Sequence, residues 1–215
     1  MKNPSHSWTR FALAGLVAAS LTGCAADLVT TPGDENENKT PSDTQTVNGT
    51  VHTQQIDATA SEAWIYFNLA SHSLVTPATP EDSTEWDLAF QRHRIKSNGG
   101  ESGKGGVSVT WLNAQDFEAL KTAPSASQST YVVDSNAPTG NAIKDLHFAF
   151  LGDDSWYQTD TSKMPPIISP KENRVYVVKT AGGKYMKLQM LSYYSDAGTS
   201  GNPKFKYAEI EAPQP

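Results

Sequence analysis

The alternation of apolar and polar residues is clearest between Glu85 and Leu112, where it predicts an antiparallel β-hairpin. In the first half, WDLAFQ, every second residue from Trp86 onwards is apolar, as is typical of a half-buried strand. The run Asn98-Gly99-Gly100 supplies residues that tolerate a positive φ, and the alternation resumes over residues 107–111. We therefore predict one long hairpin whose glycine-rich tip, NGGESGKGG, is flexible.

Short apolar or β-branched runs predict further strands at residues 47–58, 63–69, 129–134, 142–150, 173–180, 184–194 and 204–210. Residues 155–170 contain three prolines and are expected to form a turn-rich connection. One helix is predicted over residues 113–120, because Asn113 can cap its start and Asp116 stands at the reciprocal capping position. These elements predict an all-β single domain of antiparallel strands and hairpins with one short helix.

The N-terminus has the pattern of a secretory signal, because Lys2 and Arg10 precede an apolar run over residues 11–21. That run is shorter than the roughly 20 apolar residues that a transmembrane helix requires. It ends in LTGC, which resembles the bacterial lipobox and implies cleavage before Cys24 and acylation of that residue. By the same resemblance, Ala25 after the cysteine favours the outer membrane. The alternative is a cysteine that lies beside a signal peptide without a role.

The chain divides into a signal peptide (1–23), a tether (24–46) and a globular domain (47–215). The tether is rich in Thr, Asn, Asp, Pro and Glu, so it buries too little apolar surface to offset the entropy of ordering. Cleavage removes two positive charges and no negative one, which changes the formal net charge from −6 to −8. A negative charge of this size argues against nucleic acid or an anionic bilayer surface as the main partner.

The potential metal ligands in the domain are four histidines and three methionines, with several tyrosines: His52, His72, His93, His147, Met164, Met186 and Met190. None of the histidines shows the helical i, i+4 spacing of a zinc site, and the chain has only one cysteine. Signatures of hydrolases such as GxSxG and HExxH are absent from the sequence, and its carboxylates are scattered. We therefore predict no catalytic residues and a binding protein rather than an enzyme.

Several segments together resemble the HmuY-like haem-binding lipoproteins: the lipobox, AWIYFNL, WDLAFQRHRIKSNGG, SWY and NRVYVVKTAGGKYMKLQMLSYYSDAG. They span most of residues 56–207 in the expected order. The resemblance implies an all-β domain that holds one haem between strand ends and loops and passes it on unchanged. Its implied partners are haem or a haem-carrying protein, an outer-membrane haem receptor, and the membrane through the lipid anchor.

The resemblance also implies the iron ligands. It places the first axial ligand eight residues after Trp156, which is Met164, and the second at Tyr194, where other members carry His or Met. Tyr194 departs from the His or Met of other members. Tyrosine can nevertheless bind ferric haem iron through its phenolate oxygen. Met190 is the fallback ligand. Core packing remains an alternative for Met190 and Met186, as does packing beside Pro165 for Met164.

A basic cluster in the predicted hairpin, formed by Arg92, Arg94, Lys96 and Lys104, has two interpretations. Its members either reach the propionates of a haem or form a solvated strand face. His93 lies between the two arginines and is a weaker ligand candidate. The alternative to haem binding is a cell-surface adhesin or a protein- or glycan-binding module of the same fold.

Overall fold

The computed structural model describes residues 51–135, 150 and 155–214, together with the backbone of one earlier strand. Within these residues the strands are β1 (Thr46–Asn48), β2 (Val51–Gln55), β3 (Ile65–Asn68), β4 (Ser73–Val75), β5 (Leu88–Gln91), β6 (Arg94–Ser97), β7 (Ser108–Leu112), β8 (Tyr157–Asp160), β9 (Ile167–Pro170), β10 (Val175–Lys179), β11 (Tyr185–Tyr194) and β12 (Ser200–Ile210). A short 3-10 turn occupies Gly100–Ser102.

The described strands form three sheets in which the paired strands are antiparallel. Six strands form the larger sheet in the order β1-β2-β12-β11-β10-β7, and four form the smaller sheet in the order β4-β3-β5-β6. The strands β8 and β9 pair only with each other. The predicted all-β fold is thereby confirmed.

The core lies between the two larger sheets. Phe90 of β5 stacks on Phe205 of β12, with ring centroids 5.3 Å apart, and Phe67 of β3 meets Phe205 edge-on at 5.8 Å. All three rings are fully buried. Burial of such aromatic side chains at about 25 cal/mol per Å² of apolar surface is the main force that holds the sheets together.

The prediction of one long hairpin over residues 85–112 is wrong, because its two halves pair with other strands. The strand β5 turns at once through Arg92 and His93 and pairs with β6, so that Gln91 lies opposite Arg94. The strand β7 crosses to the larger sheet and pairs with β10. Alternation alone identifies strands but not their partners, and Arg92 adopts the positive φ of 54° that the tight turn requires although it is not glycine.

The glycine-rich segment after β6 is a packed loop rather than the flexible tip that we predicted. Asn98 is fully buried, and its Nδ2 donates to the carbonyl oxygens of Ser83 (2.8 Å) and Trp86 (2.9 Å). Its Oδ1 accepts a bond of 3.0 Å from the amide of Gly105. A Cβ atom on Gly103 would lie 2.1 Å from that Oδ1, so glycine is needed there for close approach.

The predicted helix over residues 113–120 does not form; this segment consists of turns. Asn113 Oδ1 accepts a bond from Arg174 Nε at 2.9 Å instead of capping the segment, and Ala114 takes a positive φ of 54°. The buried Lys187 Nζ donates to two main-chain carbonyl oxygens of the segment, at 2.7 and 3.0 Å. An isolated helix of two turns is marginal in water, and here tertiary contacts replace its hydrogen bonds.

The turn-rich connection of residues 155–170 contains the β8–β9 hairpin, which the prolines had concealed. Pro170 ends β9 opposite Tyr157, an edge position that a residue without an amide proton tolerates. The strand predicted at 129–134 is reduced to a single bridge between Val109 and Val132. The strand predicted at 142–150 lies outside the described residues except for Phe150, which is buried against Tyr176.

Two histidines join the sheets at one end of the core. His72 lies in the turn between β3 and β4 with a φ of 57°, and its ring stacks on that of His52 of β2 at 3.7 Å. His72 Nδ1 is 3.1 Å from the hydroxyl of Tyr207, a buried residue of β12. A stacked pair of imidazoles at this distance does not favour two protons, because the two charges repel.

Acidification is therefore expected to weaken the fold through His72. The pKa of His72 lies below its usual 6.5 because burial, then His52 and Lys184, disfavour the cation more than Glu209 favours it. Below about pH 6.5 the unfolded chain binds more protons than the folded one, so the free energy of unfolding falls as the pH falls. Urea unfolding at about pH 7.5 and about pH 5.5 measures this slope.

The variant His72→Asn is expected to make that slope shallower, because asparagine tolerates the positive φ and does not titrate. His93 contributes in the same direction, since burial first and then Arg94 and Arg92 lower its pKa. The slope should therefore decrease without vanishing. A variant with the same slope as the wild type would show that the histidine pair is not the acid-sensitive contact.

Candidate functional site

The first predicted ligand, Met164, lies at the tip of the β8–β9 hairpin. The tip comprises residues 161–166, and the side chain of Met164 is 90% exposed. Asp160 Oδ1 accepts bonds from the amide and the hydroxyl of Ser162, which shapes the start of this turn. Any packing of Met164 beside Pro165, the alternative interpretation, therefore leaves most of the side chain exposed. An unbranched apolar side chain held this far into solvent leaves its sulfur free to bind a ligand.

The second predicted ligand, Tyr194, lies at the end of β11, where the hairpin meets the larger sheet. Its hydroxyl accepts a hydrogen bond of 3.0 Å from the amide of Ile168 in β9. The pairing of β11 with β12 shifts in register at Met190, Ser192 and Tyr194, so the strand is irregular at this point. The structure thus ties Tyr194 to the same hairpin that carries Met164.

Met190 belongs to the core rather than to this region. It is 6% exposed and lies in the buried cluster that also contains Met186, Phe205 and Leu188. A thioether enclosed on all sides has no open face for an iron ion, so the fallback ligand is not part of the candidate site. The same strand, β11, therefore carries a buried methionine in its middle and a half-buried tyrosine at its end.

Aromatic side chains form a continuous wall beside Tyr194. Tyr193 and Tyr194 meet edge-on at 5.2 Å, and Tyr193 lies 6.3 Å from Trp156. Trp156 is in turn 5.2 Å from Tyr157, and its Nε1 donates to the carbonyl oxygen of His93 at 2.8 Å. The SWY segment of the sequence thus connects the β5–β6 turn to the hairpin.

The β5–β6 turn brings His93 to the end of this wall. The ring of His93 meets Tyr157 edge-on at 5.5 Å and Tyr193 at 6.5 Å. Burial, followed by the charges of Arg94 and Arg92, lowers the pKa of His93. The sequence placed His93 between two arginines, but only the tight turn, which the alternation did not reveal, brings it against Tyr157 and Tyr193.

The four residues of the predicted basic cluster do not lie together in the structure. Lys96 is 8% exposed and lies 4.7 Å from the ring centre of Trp64, within a set of three rings that includes Tyr66 and Trp86. Burial lowers its pKa. Lys104 is exposed and pairs with Asp82. Only Arg92 and Arg94 remain near the candidate site, and neither interpretation of the cluster holds for all four residues.

Other predicted ligands and features lie elsewhere. His147 and Cys24 are outside the described residues. Within the described part of the chain, no group of three or more His, Cys, Asp or Glu side chains is arranged to hold a metal ion. A groove of about 700 Å³ lies along the segment 112–128, and none of its lining residues is a predicted ligand: Leu112, Leu120, Thr122, Ala123, Pro124, Ser125, Ser127, Gln128 and Gln214. Nor does this part of the chain contain a helix with the length and apolarity needed to span a membrane.

Comparisons with known proteins agree with this fold. A family model described as HmuY protein matches residues 60–207. A candidate lipoprotein of Bacteroides fragilis NCTC 9343 is 26% identical, with a TM-score of 0.51, over 74% of this chain and 89% of its own. Among curated proteins, none matches this chain.

Two other solved structures show the same fold at lower identity. The apo HmuY analogue of Tannerella forsythia is 17% identical, with a TM-score of 0.52, over 74% of this chain and 94% of its own. Apo PinO, from Porphyromonas gingivitis, is 14% identical, with a TM-score of 0.54, over 76% of this chain and 99% of its own. The family model spans well over half of the chain, from before β3 into β12, and the resemblance drawn from the sequence is confirmed: the chain belongs to the HmuY protein family.

Proposed function

We propose that this protein is a membrane-anchored lipoprotein that binds haem for iron acquisition and does not transform it. The observation that carries the proposal is the 90% exposed side chain of Met164 at the tip of a hairpin whose base is bonded to Tyr194. Both residues occupy the positions where the family resemblance implies the axial ligands. Met164 and Tyr194 are distant along the chain, but the hydrogen bond from the Ile168 amide connects Tyr194 to the hairpin that carries Met164.

The donor atoms fit haem iron. A thioether binds haem iron as methionine does in cytochromes, and a tyrosine phenolate binds ferric haem as in catalase. The Ile168 amide donates a hydrogen bond to the Tyr194 hydroxyl oxygen. The oxygen of a tyrosine phenolate accepts the same hydrogen bond. We propose Met164 and Tyr194 as the ligands.

The strands beside these ligands carry exposed apolar side chains, which support contact with the faces of a porphyrin. Ile167 of β9 and Leu191 of β11 are both 43% exposed, and β9 packs against β11. Together with Met164 they are three of the four large apolar side chains with high exposure in the described part of the chain. Exposed large apolar side chains are typical of a binding surface where they form one patch.

The anchor and partners complete the proposal. We propose acylation of Cys24 after cleavage of residues 1–23, with residues 24–46 holding the domain off the outer membrane. The candidate lipoprotein of Bacteroides fragilis supports the lipoprotein assignment. A protein that binds cargo without altering it must receive haem from a donor and deliver it to an acceptor, for which an outer-membrane haem receptor is the proposed class.

Addition of hemin to the purified domain, residues 47–215, is expected to shift the Soret band with one hemin per chain. The variant Met164→Leu keeps the apolar volume but removes the sulfur, and should weaken hemin binding about tenfold or more through loss of the iron bond. Absorbance titration measures both effects. Met164→His restores a ligand atom and should recover binding.

Two variants control this experiment. Lys163→Ala changes the neighbouring exposed residue and should leave hemin affinity unchanged, whereas Tyr194→Phe removes the second ligand atom and should alter the spectrum. If the wild-type domain gives no Soret shift at micromolar hemin, the haem proposal is wrong. The adhesin or glycan-binding alternative would then stand, and the groove formed by residues 112–128 would be its first candidate site.

A further inference from the structure

We propose that Met164 is a site of reversible oxidation, at which a hydroperoxide converts the thioether to methionine sulfoxide and thereby weakens haem binding. The effect on haem rests on the proposed function, whereas the modification itself does not. The reagent is a small two-electron oxidant of the peroxide class that reaches the protein from solvent. Two features of the structure support the site: one methionine that is open to solvent, and a fold that does not depend on it.

The three methionines of the domain differ in their exposure to solvent. The side chain of Met164 is 90% exposed, whereas Met186 and Met190 are 1% and 6% exposed. A dissolved oxidant reacts with a sulfur atom that it can reach, so exposure decides which methionine is oxidised. We therefore expect a peroxide to modify Met164 while the two buried methionines stay reduced.

The two buried methionines are enclosed by other side chains of the core. Both belong to β11 and to the main core cluster, which also contains Leu188 and Phe205. In the folded chain a reagent reaches these sulfur atoms only when the core opens, which costs much of the free energy of unfolding. Oxidation there would place a polar oxygen in the core and destabilise the fold. Selectivity for Met164 is therefore a property of the folded chain and should vanish in urea.

The hairpin that carries Met164 is held by bonds that do not involve the thioether. At the start of the turn, Asp160 Oδ1 accepts bonds from the amide and the hydroxyl of Ser162 at 2.9 and 2.6 Å. At the base, the amide of Ile168 donates to the hydroxyl of Tyr194 at 3.0 Å. Because so little of the Met164 side chain is buried, its oxidation removes little packing from the fold. The modification therefore alters the proposed ligand and leaves its supports in place.

The oxidant alone balances the reaction. The sulfur atom gives up two electrons and forms a bond to one peroxide oxygen as the O–O bond breaks, and the second oxygen leaves as water. A polar, chiral sulfoxide then replaces the soft thioether that suits haem iron, and Tyr194 remains as the only proposed ligand. The reaction is reversed by a methionine sulfoxide reductase, for which two thiols supply the electrons, form a disulfide and release the oxygen as water.

The first experiment measures the modification without hemin. The full chain is treated with hydrogen peroxide for increasing times, in buffer and in urea, and its peptides are identified by mass spectrometry. In buffer, the Met164 peptide should gain the mass of one oxygen atom well before the peptides of Met186 and Met190. In urea, the three methionines should react at similar rates. Equal rates in buffer, or earlier oxidation of Met186 or Met190, would contradict the site.

The second experiment removes the peroxide and titrates the oxidised chain with hemin. Oxidation should weaken hemin binding about tenfold and give the absorbance spectrum of Met164→Leu, because both changes remove the thioether. Methionine sulfoxide reductases with dithiothreitol should restore the affinity and the spectrum. Hemin binding by Met164→Leu should not respond to peroxide. Met186→Leu, the same substitution in the core, is the matched control and should keep the full response.

The outcomes separate the two proposals. If neither the reduced nor the oxidised chain binds hemin, the haem proposal fails and the effect of oxidation on haem fails with it. If the reduced chain binds hemin and the chain with oxidised Met164 binds it equally well, haem binding stands and this inference is wrong. A Met164→Leu variant that still loses affinity after peroxide treatment would assign the effect to another residue.

Discussion

Replacing Asp87 with alanine is expected to lower the free energy of unfolding by about 2–5 kcal/mol, because it leaves one buried and one partly buried amide donor without their partner. The carboxylate of Asp87 is 1% exposed and accepts bonds of 2.8 Å from the amides of Leu69 and Ala181. Leu69 follows β3 of the smaller sheet, whereas Ala181 lies in the β10–β11 turn of the larger one. One side chain thus joins the two sheets, and burial raises its pKa while both amide bonds lower it.

Denaturation by urea measures this loss, and Asp57→Ala provides the matched control. Asp57 also accepts bonds from a backbone amide and a hydroxyl, both of Thr59, but it is exposed. Water replaces the lost partner there, so the control should change stability by less than about 1 kcal/mol. Equal losses in the two variants would show that Asp87 does not hold the sheets together.

Replacing Asn98 with alanine is the second large change, with an expected loss of about 2–5 kcal/mol from three broken hydrogen bonds in the core. The side chain is fully buried and holds the carbonyl oxygens of Ser83 and Trp86 and the amide of Gly105. Without this side chain, the glycine-rich loop loses the hydrogen bonds that fix it to Ser83 and Trp86. Thermal unfolding and limited proteolysis of the loop measure the effect.

Asn202→Ala is the control for this experiment, because its side chain, near the start of β12, donates to the carbonyl oxygen of Thr199 through a solvent-exposed hydrogen bond of 3.1 Å. We expect a change within about 1 kcal/mol there. Asn98→Asp tests the donors separately, since it keeps an acceptor for Gly105 and removes both donors. A stable Asn98→Asp variant would contradict the role assigned to the amide nitrogen.

The strands were predictable wherever apolar residues alternate, and their partners were not. The segments that became β3, β10, β11 and β12 each carry enough β-branched or aromatic residues to be recognised. The pairing of β5 depends on a two-residue turn at Arg92 and His93, where no glycine or asparagine signals a turn. Pairing is therefore a tertiary property that a single alternating run does not encode.

In the glycine-rich segment, amino-acid composition alone predicts the wrong property. Five glycines in the eight residues after Asn98 are typical of a mobile loop, yet a Cβ on Gly99 would lie 2.0 Å from the carbonyl oxygen of Val107. Glycine is required there by close packing rather than by flexibility. The helix predicted at 113–120 failed for a related reason, since the buried Lys187 takes two carbonyl oxygens of the segment.

The candidate site was predictable only in part. The spacing from Trp156 indicated Met164 through the family resemblance, and the structure finds that residue exposed on a hairpin the sequence did not reveal. The fallback Met190 alternates with Met186 on one buried face of β11, which is the pattern of a core residue. The position of His93 beside Tyr193 depends on the β5–β6 turn and had no signal in the chain.

The most direct test of haem binding is to locate the iron in crystals of the hemin-loaded domain by anomalous diffraction at the iron edge. Our account predicts one iron atom beside the β8–β9 hairpin, bonded to Met164 Sδ and facing Tyr194. An iron atom at the His52–His72 pair or in the groove of residues 112–128, or no iron at all, would contradict it.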